Sequence, residues 1–142
     1  TTGHLRAQIL YYLAENLAAR SDEFAARLDA MQGGQGGAAE VAASLDRLFS
    51  AAAWADKYDG NIHDVPMRGV AMAMHEPIGT IGIIAPNEAP LLGLISTLAP
   101  ALAMGNRVIL CASEPFPLAA TDLIQVLETS DIPAGVVNIL TG

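Results

Sequence analysis

The chain has 142 residues, one cysteine, 52% apolar and 15% charged residues, and a formal charge of −8 from 15 acidic and 7 basic side chains. The length fits one domain or a piece of a larger one; the composition excludes a disordered chain, and a single cysteine excludes a disulfide framework or a multi-cysteine zinc site. The acidic balance repels phosphate backbones and anionic bilayers, so nucleic acid and membrane are not expected partners; no apolar run approaches the ~20 residues of a membrane span, no signal peptide is visible, and a reduced cytoplasmic setting is expected.

The first third reads as helix. Leu5, Ile9, Tyr12, Leu13 and Leu17 recur at helical spacing. Ser21 is the expected N-cap of a continuation, with Asp22 and Glu23 in its first turn and Phe24 and Leu28 carrying the stripe to Met31. Gly33-Gly34-Gln35-Gly36-Gly37 is expected to be a flexible break. Val41, Leu45, Leu48, Phe49 and Ala52 then mark another helix ending near Tyr58, before the turn residues Asp59-Gly60-Asn61. Short apolar runs on either side of Met67-Arg68-Gly69 predict a β-hairpin over 62–75, with Pro66 confining its strand to an edge or an end.

From residue 78 the pattern becomes regular. Thr80 to Ala85, Arg107 to Cys111 and Val136 to Leu140 read as short buried strands. Between them lie two helices, Pro90 to Met104 and a second one opened by Ser113-Glu114-Pro115 and running through Glu128. Strand, helix, strand, helix, strand with short links predicts parallel pairing by right-handed crossovers. Arg107 is the only basic residue after Arg68, against six acidic ones. Continuous rather than alternating apolar strands predict helices on both faces. The fold class is therefore α/β: N-terminal helices and a hairpin, then half of a doubly wound parallel sheet. The divisions are 1–61 (helical), 62–75 (hairpin) and 76–142 (the half-sheet). The chain starts without Met inside a helical pattern and stops at Thr141-Gly142 where a further helix is due, so the rest of a longer polypeptide or a partner chain is expected to cover the bare sheet edge.

Glu76-Pro77-Ile78-Gly79-Thr80-Ile81-Gly82-Ile83-Ile84-Ala85-Pro86, Leu98-Ala99-Pro100-Ala101-Leu102-Ala103-Met104-Gly105-Asn106 and Pro133-Ala134-Gly135-Val136-Val137-Asn138-Ile139-Leu140-Thr141-Gly142 together resemble the aldehyde dehydrogenase superfamily, in its order and at its spacing. Leu13-Ala14-Glu15-Asn16-Leu17 and Trp54-Ala55-Asp56-Lys57-Tyr58 extend the likeness more loosely into the first half. The resemblance implies a portion of an enzyme that oxidises an aldehyde to an acid with NAD(P), through a cysteine thiolate and a glutamate-activated water that both lie later in sequence. It also implies an oligomerisation role for the hairpin and a homo-oligomer of two or four subunits. Carried over residue by residue, it places Ile84, Ala85, Pro86, Asn87, Cys111, Ser113 and Glu114 at the coenzyme.

Two positions depart from the family pattern. Pro86-Asn87-Glu88-Ala89-Pro90 stands where the family reads Pro-Trp-Asn-Phe-Pro, which puts Glu88 at its oxyanion-stabilising Asn. An amide donor stabilises a developing oxyanion; an ionised carboxylate repels it, and a protonated one needs a raised pKa. Cys111-Ala112-Ser113-Glu114 stands where the family reads Lys-Pro-Ser-Glu, so the ribose-contacting lysine is a short neutral thiol. These departures, with Ala-Asp-Lys-Tyr-Asp-Gly and Pro-Leu-Ala-Ala-Thr-Asp-Leu, also resemble a tandem branch of the superfamily whose second half is degenerate. The alternative to an enzyme is thus a structural or assembly module with weak or absent cofactor binding. An unrelated nucleotide-binding half-sheet would instead carry a Gly-rich loop directly after its first strand, and Pro86-Asn87-Glu88 is not one.

Simpler readings stand beside these. Cys111 suits a small buried residue at a strand end better than a nucleophile. Glu88 and Glu114 each have a competing role as a carboxylate at a helix N-terminus. His4, His63 and His75 lack metal-ligand spacing. Gly79 and Gly82 suit tight packing better than a dinucleotide fingerprint, and Trp54 and Tyr58 suit core or subunit contacts.

Overall fold

Thr2 starts the first helix, its Oγ1 accepting from the Leu5 N–H at 3.2 Å. The computed structural model describes residues 1–142. Helices α1 (Gly3–Ala19), α2 (Ser21–Gln32) and α3 (Gly37–Trp54) form an N-terminal layer. The buried stripe of α1 is Ala7, Leu10, Leu13, Ala14 and Leu17; Leu5 and Tyr12, expected inside, are exposed. Small Ala7 and Ala14 are what let α1 approach its neighbours, a signal that counting large apolar residues misses. Ser21 is the first residue of α2 rather than its cap: Arg20 holds the N-cap position without a side-chain cap bond. Arg20 instead grips Glu23 with two bonds of 2.8 and 2.6 Å, and this contact holds the Glu23 carboxyl below its ordinary range.

The glycine run is less of a spacer than its composition suggests. Gly33 closes α2 in the left-handed region (φ 63°). Gly37 sits in the crossing of α2 and α3, where an added Cβ would lie 2.2 Å from the Ala25 carbonyl oxygen. Its N–H donates to Asp29 Oδ1 at 2.8 Å. The helix after it ends at Trp54, short of Tyr58, and the rings of Trp54 and Tyr58 lie tilted against each other in the open, centroids 5.8 Å apart. They belong to no core within this chain. Strands β1 (Asn61–Asp64) and β2 (Val70–Ala73) form an antiparallel ribbon, Ile62 opposite Met72, with both faces largely exposed.

Strands β3 (Thr80–Ile84), β4 (Arg107–Cys111) and β5 (Val137–Leu140) form a parallel sheet in that order. Helices α4 (Pro90–Ala103) and α5 (Leu118–Glu128) make the crossovers. Strands laid down in sequential order by crossovers of one hand place both helices on the same face. The burial follows: Ile83, Val108 and Leu110 are buried, whereas Ile84, Ile109 and Leu140 on the opposite face are exposed. The expectation of helices on both faces is therefore corrected, since residues 1–142 cover one face only. A run of apolar residues in a strand records what the strand needs, not which segment supplies it. The helix α5 also begins later than expected. Pro115 and Pro117 push Glu114 and Phe116 out of helical geometry, so Ser113 to Pro117 is a loop and the helix starts at Leu118.

Helix α4 is the centre of the molecule, packed between the sheet and α3, with Leu91, Leu94, Ile95, Leu98 and Leu102 all buried. Its ends are held by charges from the N-terminal layer. Arg6 on α1 donates from Nε to the Ala103 carbonyl at 2.7 Å at one end, and Glu40 on α3 reaches the other. Opposite charges at opposite helix ends match the helix dipole. Beyond α4, Gly105 turns the chain at φ 82° and Asn106 is buried. Asn106 Oδ1 accepts from the Gly79 N–H at 3.0 Å and Nδ2 donates to the Ala101 carbonyl at 3.2 Å, which joins the start of β3 to the end of α4. Asn106→Ala leaves the Gly79 N–H without its partner and is expected to cost about 1–3 kcal/mol. Urea denaturation should show the midpoint falling at unchanged slope.

Candidate functional site

In open α/β sheets ligands sit beyond the carboxyl ends of the strands. Here β3 ends at Ile84 and runs into Ala85-Pro86-Asn87-Glu88-Ala89, while β4 ends beside it at Cys111 and runs into Ala112-Ser113-Glu114. The pairing continues past the last strand residues, with the Ala85 N–H donating to the Cys111 carbonyl at 2.9 Å. The two segments are then tied side chain to side chain: Ser113 Oγ donates to Asn87 Oδ1 at 2.9 Å. The sheet thus brings all seven residues of the predicted coenzyme set to one end.

Their environments differ sharply. Ile84 is 85% exposed on the uncovered sheet face, an apolar platform with nothing on it. Ala85 is buried, and Ser113, at 3% exposure, spends its hydroxyl on Asn87. Ser113 and Ala85 therefore shape the site rather than line it. Cys111 is half-buried on the bare face, not the enclosed core residue expected at a strand end. Glu114 is exposed and has no hydrogen-bond or ion-pair partner within the chain. Since α5 starts only at Leu118, the helix-start explanation of Glu114 fails.

The same explanation fails for Glu88, for a different reason. The carboxylate at the N-terminus of α4 belongs to Glu40, whose Oε1 accepts from the Leu91 and Leu92 N–H groups at 2.8 and 3.1 Å. Glu88 is exposed two residues ahead of the helix, separated from it by Ala89 in the left-handed region (φ 47°, ψ 66°). The loop is narrow as well as bent: Pro86 lies on Gly93, where an added Cβ would come within 2.2 Å of the proline Cγ. Neither Glu40 nor Gly93 stands out in the sequence. Glu40 acts 51 residues away from its own position, so no local pattern reveals it, and Gly93 looks like one more small residue in a helix.

Glu40 also decides what this helix end can bind. A helix N-terminus ordinarily receives a phosphate through free N–H groups. Pro90 has no N–H, Leu91 and Leu92 donate to Glu40, and the Gly93 N–H donates to the Ala89 carbonyl. A pyrophosphate would meet a carboxylate there. The residues present fit the nucleoside half of a dinucleotide: an open apolar residue, Ile84, and a free carboxylate, Glu114, at adjoining strand ends. They do not supply a phosphate cradle at α4. The largest cleft, about 720 Å³, runs along the outer edge of β3 against α4 and reaches only Ile84 of the candidate residues. No group of three or more His, Cys, Asp and Glu side chains lies together, and no helix is long and apolar enough to cross a membrane.

The family model described as "Aldehyde dehydrogenase family" matches residues 1–142. An aldehyde dehydrogenase of Agaricus bisporus is 33% identical over 145 residues, which is 99% of this chain and 29% of that protein. The solved structure of PnpE in complex with nicotinamide adenine dinucleotide superposes with a TM-score of 0.96 at 26% identity, over 100% of this chain and 30% of that one. An NAD-dependent aldehyde dehydrogenase from Sinorhizobium meliloti gives 0.91 at 25% identity, over 100% and 29%. The chain therefore spans somewhat under a third of the length of the relatives it matches. With the parallel sheet, the paired strand ends and a family match from its first residue to its last, the chain belongs to the aldehyde dehydrogenase family.

Proposed function

We propose that residues 1–142 form the first part of the coenzyme-binding domain of an NAD-dependent enzyme oxidising an aldehyde to a carboxylic acid, with the nucleophilic cysteine, the general-base glutamate and the phosphate-binding loop supplied from outside these residues. The observation that carries the reading is the exposed, unpartnered Glu114 carboxylate in the loop three residues beyond the end of β4, the strand whose last residue pairs with the open Ile84 of β3. When bound, NAD supplies the hydride acceptor. Glu114 accepts from the ribose hydroxyls, and its charge disfavours a 2′-phosphate. Ser113 holds Asn87, and with it the loop that carries Glu88. Glu88 stands at the oxyanion position, where only its protonated form donates a hydrogen bond. The homo-oligomer belongs to the same reading, with the exposed β1–β2 ribbon as its contact.

Charge-assisted hydrogen bonds contribute about 1.5–3 kcal/mol, or roughly 10- to 100-fold in affinity. Glu114→Ala in the full-length protein is expected to weaken NAD⁺ by that factor and to narrow its preference over NADP⁺, with aldehyde-dependent NADH formation as the parallel assay. An unchanged affinity would remove Glu114 from the site. A second reading, a non-catalytic module, is favoured by the two departures at Glu88 and Cys111. It expects no NADH from any aldehyde even when NAD⁺ binds.

A further inference from the structure

The loop Pro86–Ala89 is held in a conformation it would not choose. Ala89 has a Cβ and yet sits at φ 47°; such a residue stays in the left-handed region only where its surroundings fix both flanks. On the strand side the flank is fixed by the Ala85–Cys111 backbone bond and by Ser113 on Asn87. On the helix side Ala89 has no side chain with which to cap α4, and Pro90 has no N–H. That side is held by the Gly93 N–H, which donates to the Ala89 carbonyl at 2.7 Å, and by Glu40, which fixes the turn carrying Gly93: one oxygen accepts from Leu91 and Leu92, and the other accepts from Gln32 Nε2 at 3.3 Å. The carboxylate is thus anchored on α2 and α3 and grips the first turn of α4 across the packed interface of α3 and α4.

We infer that Glu40 is the positioning residue of the Pro86–Ala89 loop, setting where Asn87 and Glu88 stand relative to the coenzyme and the reacting aldehyde. It touches neither ligand and acts through the first turn of α4. This rests on the reading above that the loop borders the coenzyme.

The test uses the full-length protein with Glu40→Ala and Glu40→Gln, read by hydrogen exchange and by kinetics. Loss of a helix cap predicts roughly five- to tenfold faster exchange in Glu40→Ala, confined to 85–93, while the buried turns of α1 keep their rates. NAD⁺ affinity or kcat should fall by a similar factor. The amide oxygen of Glu40→Gln still accepts from Leu91 and Leu92, so this variant should fall between the two, and it carries the test if the alanine variant does not fold. Unchanged exchange at 85–93 overturns the inference. So does faster exchange with both NAD⁺ affinity and kcat unaltered, since Glu40 would then be structural only. If the unsubstituted protein binds no NAD⁺, the coenzyme reading fails by itself, and the exchange arm still decides whether Glu40 holds the loop.

Discussion

Leu94→Ala is expected to destabilise the protein by about 2–5 kcal/mol, the range for a buried leucine whose cavity cannot close. Leu94 is fully buried on α4, the helix that contacts α3, α5 and the sheet. Such a helix cannot move toward the void from one neighbour without opening a gap at another. The core of 28 buried residues spans the N-terminal helices and the sheet without interruption. The loss should therefore appear as one cooperative transition shifted to lower urea, not as separate melting of the N-terminal layer. A shift under 1 kcal/mol, or two resolved transitions, would show that α4 is not the common core. The comparison substitution is Leu5→Ala: a large apolar residue on the same sequence stripe as Leu13, but exposed, and expected to stay within about 0.5 kcal/mol.

Gly93→Ala sets two effects against each other. Alanine is a better helix former by about 1 kcal/mol. Against that, its Cβ would meet the Pro86 ring at 2.2 and 2.9 Å. A proline ring in a pinned loop cannot rotate aside, and overpacking of this kind costs about 1–3 kcal/mol. The clash should win, giving a net destabilisation of up to about 2 kcal/mol. The larger consequence is local. Relief requires Pro86 to lift, and with it the loop bearing Asn87 and Glu88, so coenzyme affinity should fall by more than the stability loss alone would cause. A stabilised Gly93→Ala protein with unaltered NAD⁺ binding would show that the contact is slack.

The strands and helices of the second half were legible because each is bounded by Gly or Pro and carries a full apolar run. Arg107–Cys111 was read to the residue. The start of α5 was misread because Ser113-Glu114-Pro115 resembles a helix opening, whereas the second proline two residues on delays the helix. The face of the sheet could not be read from the strands at all, since Ile84 and Ile109 look as apolar as Ile83 and Val108. At the site, the seven candidate coenzyme residues come from motif resemblance, and the fold brings them to one end of the sheet. Two determinants of the site are absent from that set, and a third stands in it with a different contact. Glu40 acts across 51 residues, Gly93 acts by lacking a side chain, and Ser113, read as a ligand, is turned inward to Asn87. All three depend on tertiary packing, which periodicity does not encode.

In the proposed function this sheet end receives NAD despite the acid at position 88 and the thiol at position 111. That binding is tested most directly by calorimetric titration of the full-length protein with NAD⁺. Saturable binding in the micromolar range, weakened by Glu114→Ala, is expected. No detectable binding at millimolar NAD⁺ would contradict it, and would mean that the family fold is kept here without its coenzyme.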